Sequence, residues 1–325
     1  MKNKIKYTLK VISGLLISLI LLLLLLSKTS ISQITQSMTS FPPTIVLSAF
    51  VLYLFLCLFR TLRFRILLNH PIALKDLFSI VCIHNFFTQI IPARLGELSY
   101  IYMVRKRGIP LNKNISSIAI ARLFDMCMVS IIFFVGLAAT PLLLNRFYSI
   151  FIASIVVLII VVGFLFFAST RPEVFILLAS RITKKAKNPA LISISSKIGE
   201  IFHEFKILRS KHILVKIILS SLLVWLSAYI SAFFLLNSIF SELNLFNVFL
   251  VASIPVFISI LPIHAFAGLG TTEAGYLFPL LLFGIAVDDA ISAGFAVHIL
   301  QLLFIIALAI VGYAMLVVSS YKKAR

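Results

Sequence analysis

The stretch His84-Asn85-Phe86-Phe87-Thr88-Gln89-Ile90-Ile91-Pro92-Ala93-Arg94-Leu95-Gly96-Glu97 decides how the rest of the chain is read. It lies in a long apolar region, yet it carries Asn, Gln, Pro, Arg, Gly and Glu. Charged groups at membrane depth are costly and mark pathways or binding sites. Pro and Gly break helix geometry there, which hydrocarbon tolerates only where protein or a water-filled cavity covers the backbone. The segment 77–104 around it has basic flanks on both sides: Arg60, Arg63, Arg65 and Lys75 before, and Arg105, Lys106, Arg107 and Lys113 after. Basic flanks face the cytoplasm. A helix of roughly 28 residues reaches about 42 Å, too short for two crossings of a core about 30 Å thick. Residues 77–104 are therefore expected to enter and leave on one side as a re-entrant hairpin, with the PARLGE sequence at its turn.

Working outward, composition gives the same class. The chain has 325 residues, 61% of them hydrophobic and 12% charged, with a mean hydropathy of +1.14. Those values belong to a polytopic helical membrane protein and leave no room for a sizeable soluble domain. The net charge of +19 is spread in short basic clusters between apolar runs. That pattern fits positive-inside topology and an anionic leaflet, and it argues against nucleic acid. Cys57, Cys82 and Cys127 lie in apolar segments without metal spacing, so they read as small buried hydrophobes. No metal, cofactor or nucleotide-binding motif is found, and none is expected.

Taken in order, the expected fold is all-α, a single membrane domain over residues 1–325. About six full spans are expected, together with two broken or re-entrant hairpins of opposite orientation. The spans are Val11–Leu26, Thr44–Phe59, Ile115–Ala139, Phe147–Ala168, Ile213–Phe240 and Ala290–Val318. The first is expected to be an uncleaved helix, because its apolar run is long for a signal peptide and no cleavage site follows. Residues 27–43 are expected to be an outside loop. Residues 171–211 read as a basic cytoplasmic loop containing an amphipathic helix with Ile194, Ile198, Ile201, Phe205 and Leu208 at helical spacing. That helix lies either on the membrane surface or against the bundle. Lys2, Lys4, Lys6 and Lys10 at the start, and Lys322, Lys323 and Arg325 at the end, put both termini in the cytoplasm of a plasma-membrane protein. The second broken segment, 245–284, contains GLGTTEAGY and is expected to start from the opposite face, either as a re-entrant hairpin or as two full crossings, which give the same parity. Interrupted segments in corresponding positions of two halves point to a transporter site at the midplane.

The chemistry-bearing residues follow from this layout. Arg94 offers a planar fork suited to a phosphate. Glu97 orients Arg94 or takes a proton, or the two form an ion pair that only locks the turn. Arg122 and Asp125 stand one helical turn apart and are able to pair. Glu273 has no Lys or Arg near it in sequence and requires a tertiary partner such as Arg94 or Arg122, a proton, or a cationic substrate group. Asn85 and Gln89 are placed to hydrogen-bond the broken backbone, while Pro92, Gly96, Gly268 and Gly270 shape the turns. His84, His264 and His298 read first as satisfied bundle residues, with proton relay as the alternative.

The ordered set Asn85, Pro92, Arg94, Gly96, Glu97, then Arg122 and Asp125, then Gly268, Gly270 and Glu273 resembles the lysylphosphatidylglycerol synthase transmembrane family. The resemblance covers nearly the whole chain. It implies a flippase-like helical membrane domain that moves or handles lipids, with Arg94, Glu97, Arg122, Asp125 and Glu273 as the substrate-binding residues. Fused relatives carry a soluble aminoacyltransferase domain after the membrane part. This chain stops at Arg325, so it is not expected to be an enzyme. The expected partners are lipids with an anionic headgroup phosphate, a phospholipid or a polyprenyl-phosphate-linked lipid. Two alternatives stand beside transport: a non-transporting partner of cell-envelope synthesis enzymes, and a transferase using a lipid-linked donor.

Overall fold

Apolar runs bounded by Pro, Gly and Ser set the helix ends in this chain. The computed structural model describes residues 16, 18–92, 95–146, 148–185, 199–260 and 266–324. Every regular element among them is helical. Helix α1 covers Ser18–Leu26 and α2 covers Ile31–Thr39, with an 86° bend between them. The expected outside loop thus contains a helix. Its cause is local: Ser30 and Gln33 form a reciprocal capping box that satisfies the first backbone N–H groups.

Helix α3 runs Pro43–Leu68, starting at a Pro whose missing N–H costs nothing there and ending at Asn69 in the left-handed region. Helix α4 covers Leu74–Ile90 and α5 covers Glu97–Arg105. Next come α6 (Leu111–Ala138), α7 (Pro141–Arg146), α8 (Tyr148–Thr170) and α9 (Pro172–Lys185). After a 3₁₀ turn at Phe205–Arg209 follow α10 (Lys211–Ile239), α11 (Leu245–Ile260), α12 (Thr271–Leu282) and α13 (Val287–Ala324).

Among the described residues, α3, α6, α10 and α13 are long and apolar enough to cross a membrane, 4 helices in all, or up to 5 with the bent α1–α2 pair. Their outward faces remain apolar: Leu303, Ile306, Ile310 and Tyr313 lie exposed on one side of α13. In water such a surface would be an aggregation hazard, and in lipid it is the solvated face.

Both broken segments fold back on themselves. In the first, Ile91 is extended (ψ 124°), as a residue before proline must be, and α4 stops there. Rings of His84 and Tyr100 stand 5.4 Å apart across the two arms. At the open end Arg107 donates to Asp76, whose other oxygen accepts from Ser319 Oγ at 2.8 Å. One carboxylate thereby ties both ends of this hairpin to the last turns of α13. In the second segment α11 and α12 pack face to face, with Gly275 so close to Pro255 that a Cβ would lie 2.8 Å from its Cα. This hairpin leads into the first turn of α13, at the far end of that helix from Ser319.

The basic segment is described only in part, and Ile194 and Ile198 fall outside the described residues. Phe205 and Leu208 are buried in the same apolar cluster as Phe64 and Tyr100. Phe202 stacks on Phe175 of α9 at 4.2 Å. These residues are therefore packed against the bundle. Exposed Glu173 pairs with Arg209 at 3.1 Å and with Lys206 at 3.7 Å. The backbone N–H at its own helix start, and then Arg209, hold its carboxyl below the usual glutamate range.

Candidate functional site

The two broken hairpins meet tip to tip. Gln89, in the last turn of α4, donates from Nε2 to the Ala267 carbonyl of the second tip at 3.4 Å. Close approach explains the glycines. A Cβ on Gly96 would lie 2.1 Å from the Phe87 carbonyl oxygen, so only glycine lets α5 turn back against α4. Gly270 has φ +81°, and a Cβ there would lie 2.5 Å from the backbone oxygen of Ser18 in α1. Ser18 also donates to the Leu269 carbonyl, so α1 clamps the second tip from outside. Gly268 takes φ +72° in the 3₁₀ turn Phe266–Gly268, and Pro92 directly follows the extended Ile91 at the end of α4. Arg94 and His264 lie outside the described residues.

Below the first tip lies a network of guanidinium and carboxylate groups. Arg122 Nε donates to Glu97 Oε1 at 2.9 Å, which fixes the start of α5 to α6. Arg122 also faces Asp125 at 3.6 Å, but this is not the main partner of that acid. Asp125 receives a two-pronged contact from Arg63 at 2.6 and 3.2 Å. Trp225 Nε1 adds a third donor at 2.9 Å. Arg63 donates further to Ser221 Oγ at 3.1 Å and is only 1% exposed. The pair Arg63–Asp125 therefore joins α3, α6 and α10 in the interior.

This corrects the expectation that α3 ends at Phe59 with a cytoplasmic basic cluster. The helix continues to Leu68, and it carries Arg60 and Arg63 into the bundle. Positive-inside counting could not tell these two from Arg65, because all three fit a cytoplasmic flank. The usable signal was spacing: Arg60 and Arg63 lie one turn apart, as Arg122 and Asp125 do.

Arg60 has a different environment from Arg63. Its Nη1 donates to Asn85 Oδ1 at 2.6 Å, while its buried Nε, like that of Arg63, has no hydrogen-bond partner. Among the described residues it makes no ion pair. Asn85 is held in turn, its Nδ2 donating to Cys57 Sγ at 3.4 Å. Asn85 is thus a bracket for a cation, where the sequence suggested a bracket for broken backbone. His84 packs between Phe64 and Tyr100 and contacts Thr88 Oγ1 at 3.3 Å, as a satisfied bundle residue should.

In the second tip Glu273 is fully buried. One carboxylate oxygen accepts the Gly270 N–H at 2.7 Å, which caps α12. The other contacts His298 Nδ1 at 2.6 Å. The partner of this acid is therefore the α13 histidine, where the sequence offered Arg94, Arg122, a proton or a cationic group.

A cavity of about 240 Å³ joins these parts. Its polar wall includes Arg60, Asn85, Gln89, Arg122 and His298, and Trp225, the single tryptophan of the chain, also lines it. The remaining lining is mainly apolar and aromatic, from α3, α10, α11, α12 and α13, with Thr88 from α4. Glu97 and Asp125 stand behind Arg122, while Glu273 stands behind His298. No group of three or more His, Cys, Asp or Glu side chains among the described residues could hold a metal ion.

No curated protein and no solved structure matches the chain. Residues 11–309 match the family model described as the lysylphosphatidylglycerol synthase TM region. Together with the apolar outward faces of its helices, that match identifies a multi-pass membrane protein, and the chain belongs to the lysylphosphatidylglycerol synthase TM region family.

Proposed function

We propose that this protein is a flippase- or scramblase-like transporter that moves a phospholipid or a polyprenyl-phosphate-linked lipid across the plasma membrane. The observation that carries this is Arg60. It is a guanidinium lining the cavity between the hairpin tips, held by a neutral amide and in no ion pair among the described residues. A cation at that depth is costly unless an anion joins it. A phosphate oxygen matches the guanidinium fork, and Arg122 adds a second cation on the same wall. The cavity of about 240 Å³ is smaller than the roughly 300–1,000 Å³ of drug-sized sites. It suits a headgroup whose chains remain in lipid. On this reading the two hairpins are re-entrant from opposite faces within six spans, both termini are cytoplasmic, and Arg94 belongs to the same phosphate site.

The test is translocation in proteoliposomes. A fluorescent phospholipid and a fluorescent polyprenyl phosphate are offered, and their exposure to an impermeant quencher is followed. Faster exposure of one lipid is expected from the natural protein. Arg60→Gln should slow it about tenfold or more, the worth of a charge-assisted hydrogen bond of roughly 1.5–3 kcal/mol. Folded protein that moves neither lipid would refute transport of these lipids and favour a partner of envelope-synthesis enzymes.

A further inference from the structure

The acids that face the inside of the bundle differ in what answers their charge. Asp76 sits on Arg107, Glu97 on Arg122, and Asp125 on Arg63. Guanidinium does not deprotonate in proteins, so each of these partners is a permanent cation. Glu273 alone among these acids is paired with a histidine, whose second ring nitrogen can take up a proton.

The geometry of that pair is specific. Glu273 is 0% and His298 1% exposed. With the carboxylate ionised, His298 Nδ1 carries the hydrogen and donates it to Oε1 across 2.6 Å. Nε2 is then a lone pair. It is buried, it has no hydrogen-bond partner, and its ring lines the cavity. In this state the pair carries one negative charge at membrane depth. A proton that reaches Nε2 makes the pair neutral overall, as imidazolium beside carboxylate. Removing net charge from a low-dielectric site is favourable.

We infer that Glu273 and His298 form a proton-binding dyad that exchanges protons with the cavity through His298 Nε2, and that its occupancy sets the hold on the second hairpin tip. The link to the tip is the other carboxylate oxygen, which accepts the Gly270 N–H. Protonation at Nε2 draws the carboxylate charge toward imidazolium and weakens the bond that caps the tip. The same tip touches the first hairpin through Gln89 and Ala267. Among the described lining residues, the other charged or titratable groups facing this cavity are Tyr276 from α12, Tyr53 and Arg60 from α3, Arg122 from α6, and Tyr229 from α10. An anionic headgroup at Arg60 would favour the protonated dyad across the cavity, so one proton and one phosphate would be bound together. This last step rests on the proposed lipid transport, whereas the proton site itself does not.

Two measurements separate these claims. The first is ¹⁵N NMR of histidine-labelled protein in liposomes, with the His298 signal found among the chain's 6 histidines by its loss in His298→Gln. Its Nε2 should pass from lone-pair to protonated character between about pH 5 and 8. In Glu273→Gln, which keeps a neutral cap, the His298 signal should move, because the acceptor of Nδ1 becomes an amide oxygen. If His298→Gln does not fold, the signal displaced by Glu273→Gln makes the assignment. An Nε2 that keeps one protonation state across that range overturns the proton site. The second is the transbilayer ratio of the transported lipid under an imposed pH gradient. Coupling of one proton per lipid allows a bias of up to about tenfold per pH unit, which Glu273→Gln should abolish. Lipid movement with no such bias overturns the coupling and leaves lipid transport standing. Absence of any lipid movement overturns the transport and the coupling, while the NMR titration still decides the proton site.

Discussion

Replacing Arg63 with methionine is the sharpest test of how the interior is assembled. The change keeps much of the side-chain volume and removes both donors to Asp125 at 2.6 and 3.2 Å and the donor to Ser221 at 3.1 Å. Asp125 retains the Trp225 N–H at 2.9 Å and Arg122 at 3.6 Å. Breaking a buried pair by deleting one partner leaves an uncompensated charge and costs about 3–5 kcal/mol. That lowers the folded-to-unfolded ratio by roughly two to four powers of ten. Arg122→Gln should cost less than Arg63→Met, because Arg122 and Glu97 are 29% and 24% exposed and Asp125 keeps both donors from Arg63. The assay is reversible unfolding in mixed micelles followed by far-UV circular dichroism, with Asp125→Leu and the double variant Arg63→Met/Asp125→Leu completing a cycle. The double variant should recover most of the loss, since apolar residues replace a buried pair at little cost. Arg63→Met costing under about 1 kcal/mol, or Arg122→Gln proving the more damaging change, would refute Arg63–Asp125 as the main interior pair.

Two further outcomes follow from local geometry. Gly96→Ala forces a methyl to within 2.1 Å of the Phe87 carbonyl, so the hairpin arms must separate; a loss of about 1–3 kcal/mol is expected in the same unfolding assay, against no loss for an alanine at exposed Leu95. Glu173 has a folded pKa held below its unfolded value. Its stabilisation is therefore complete above the unfolded pKa of about 4.3 and disappears as pH falls through the folded value. The small gap in thermal midpoint between natural protein and Glu173→Gln should close on acidification and shrink in high salt, because the pair with Arg209 is exposed.

Much of this was legible in the chain as written. Pro92 and Gly96 predict a broken helix because one restricts the residue before it and the other permits contact that a Cβ would block. Basic flanks on both sides of residues 77–104 predict that this segment returns to the end it entered from, and the Asp76–Arg107 contact brings those two ends together. The S-x-x-Q box at Ser30 was equally readable and would have replaced the expected loop by α2.

Local periodicity, proline and glycine chemistry, and hydropathy act over a few residues, so the sequence by itself determined an all-helical membrane chain with two interrupted segments. The choice of partners acts across helices and was decided only by the tertiary structure. Positive-inside counting sees Arg60, Arg63 and Arg65 as one cluster, yet the rotation of α3 sends Arg63 to Asp125 and Arg60 to Asn85 at the cavity wall. Glu273 and His298 are 25 residues apart, and nothing in their neighbours announces the contact at 2.6 Å. A charge buried in a low-dielectric interior must find a partner wherever the fold brings one, and sequence distance carries no information about where that is.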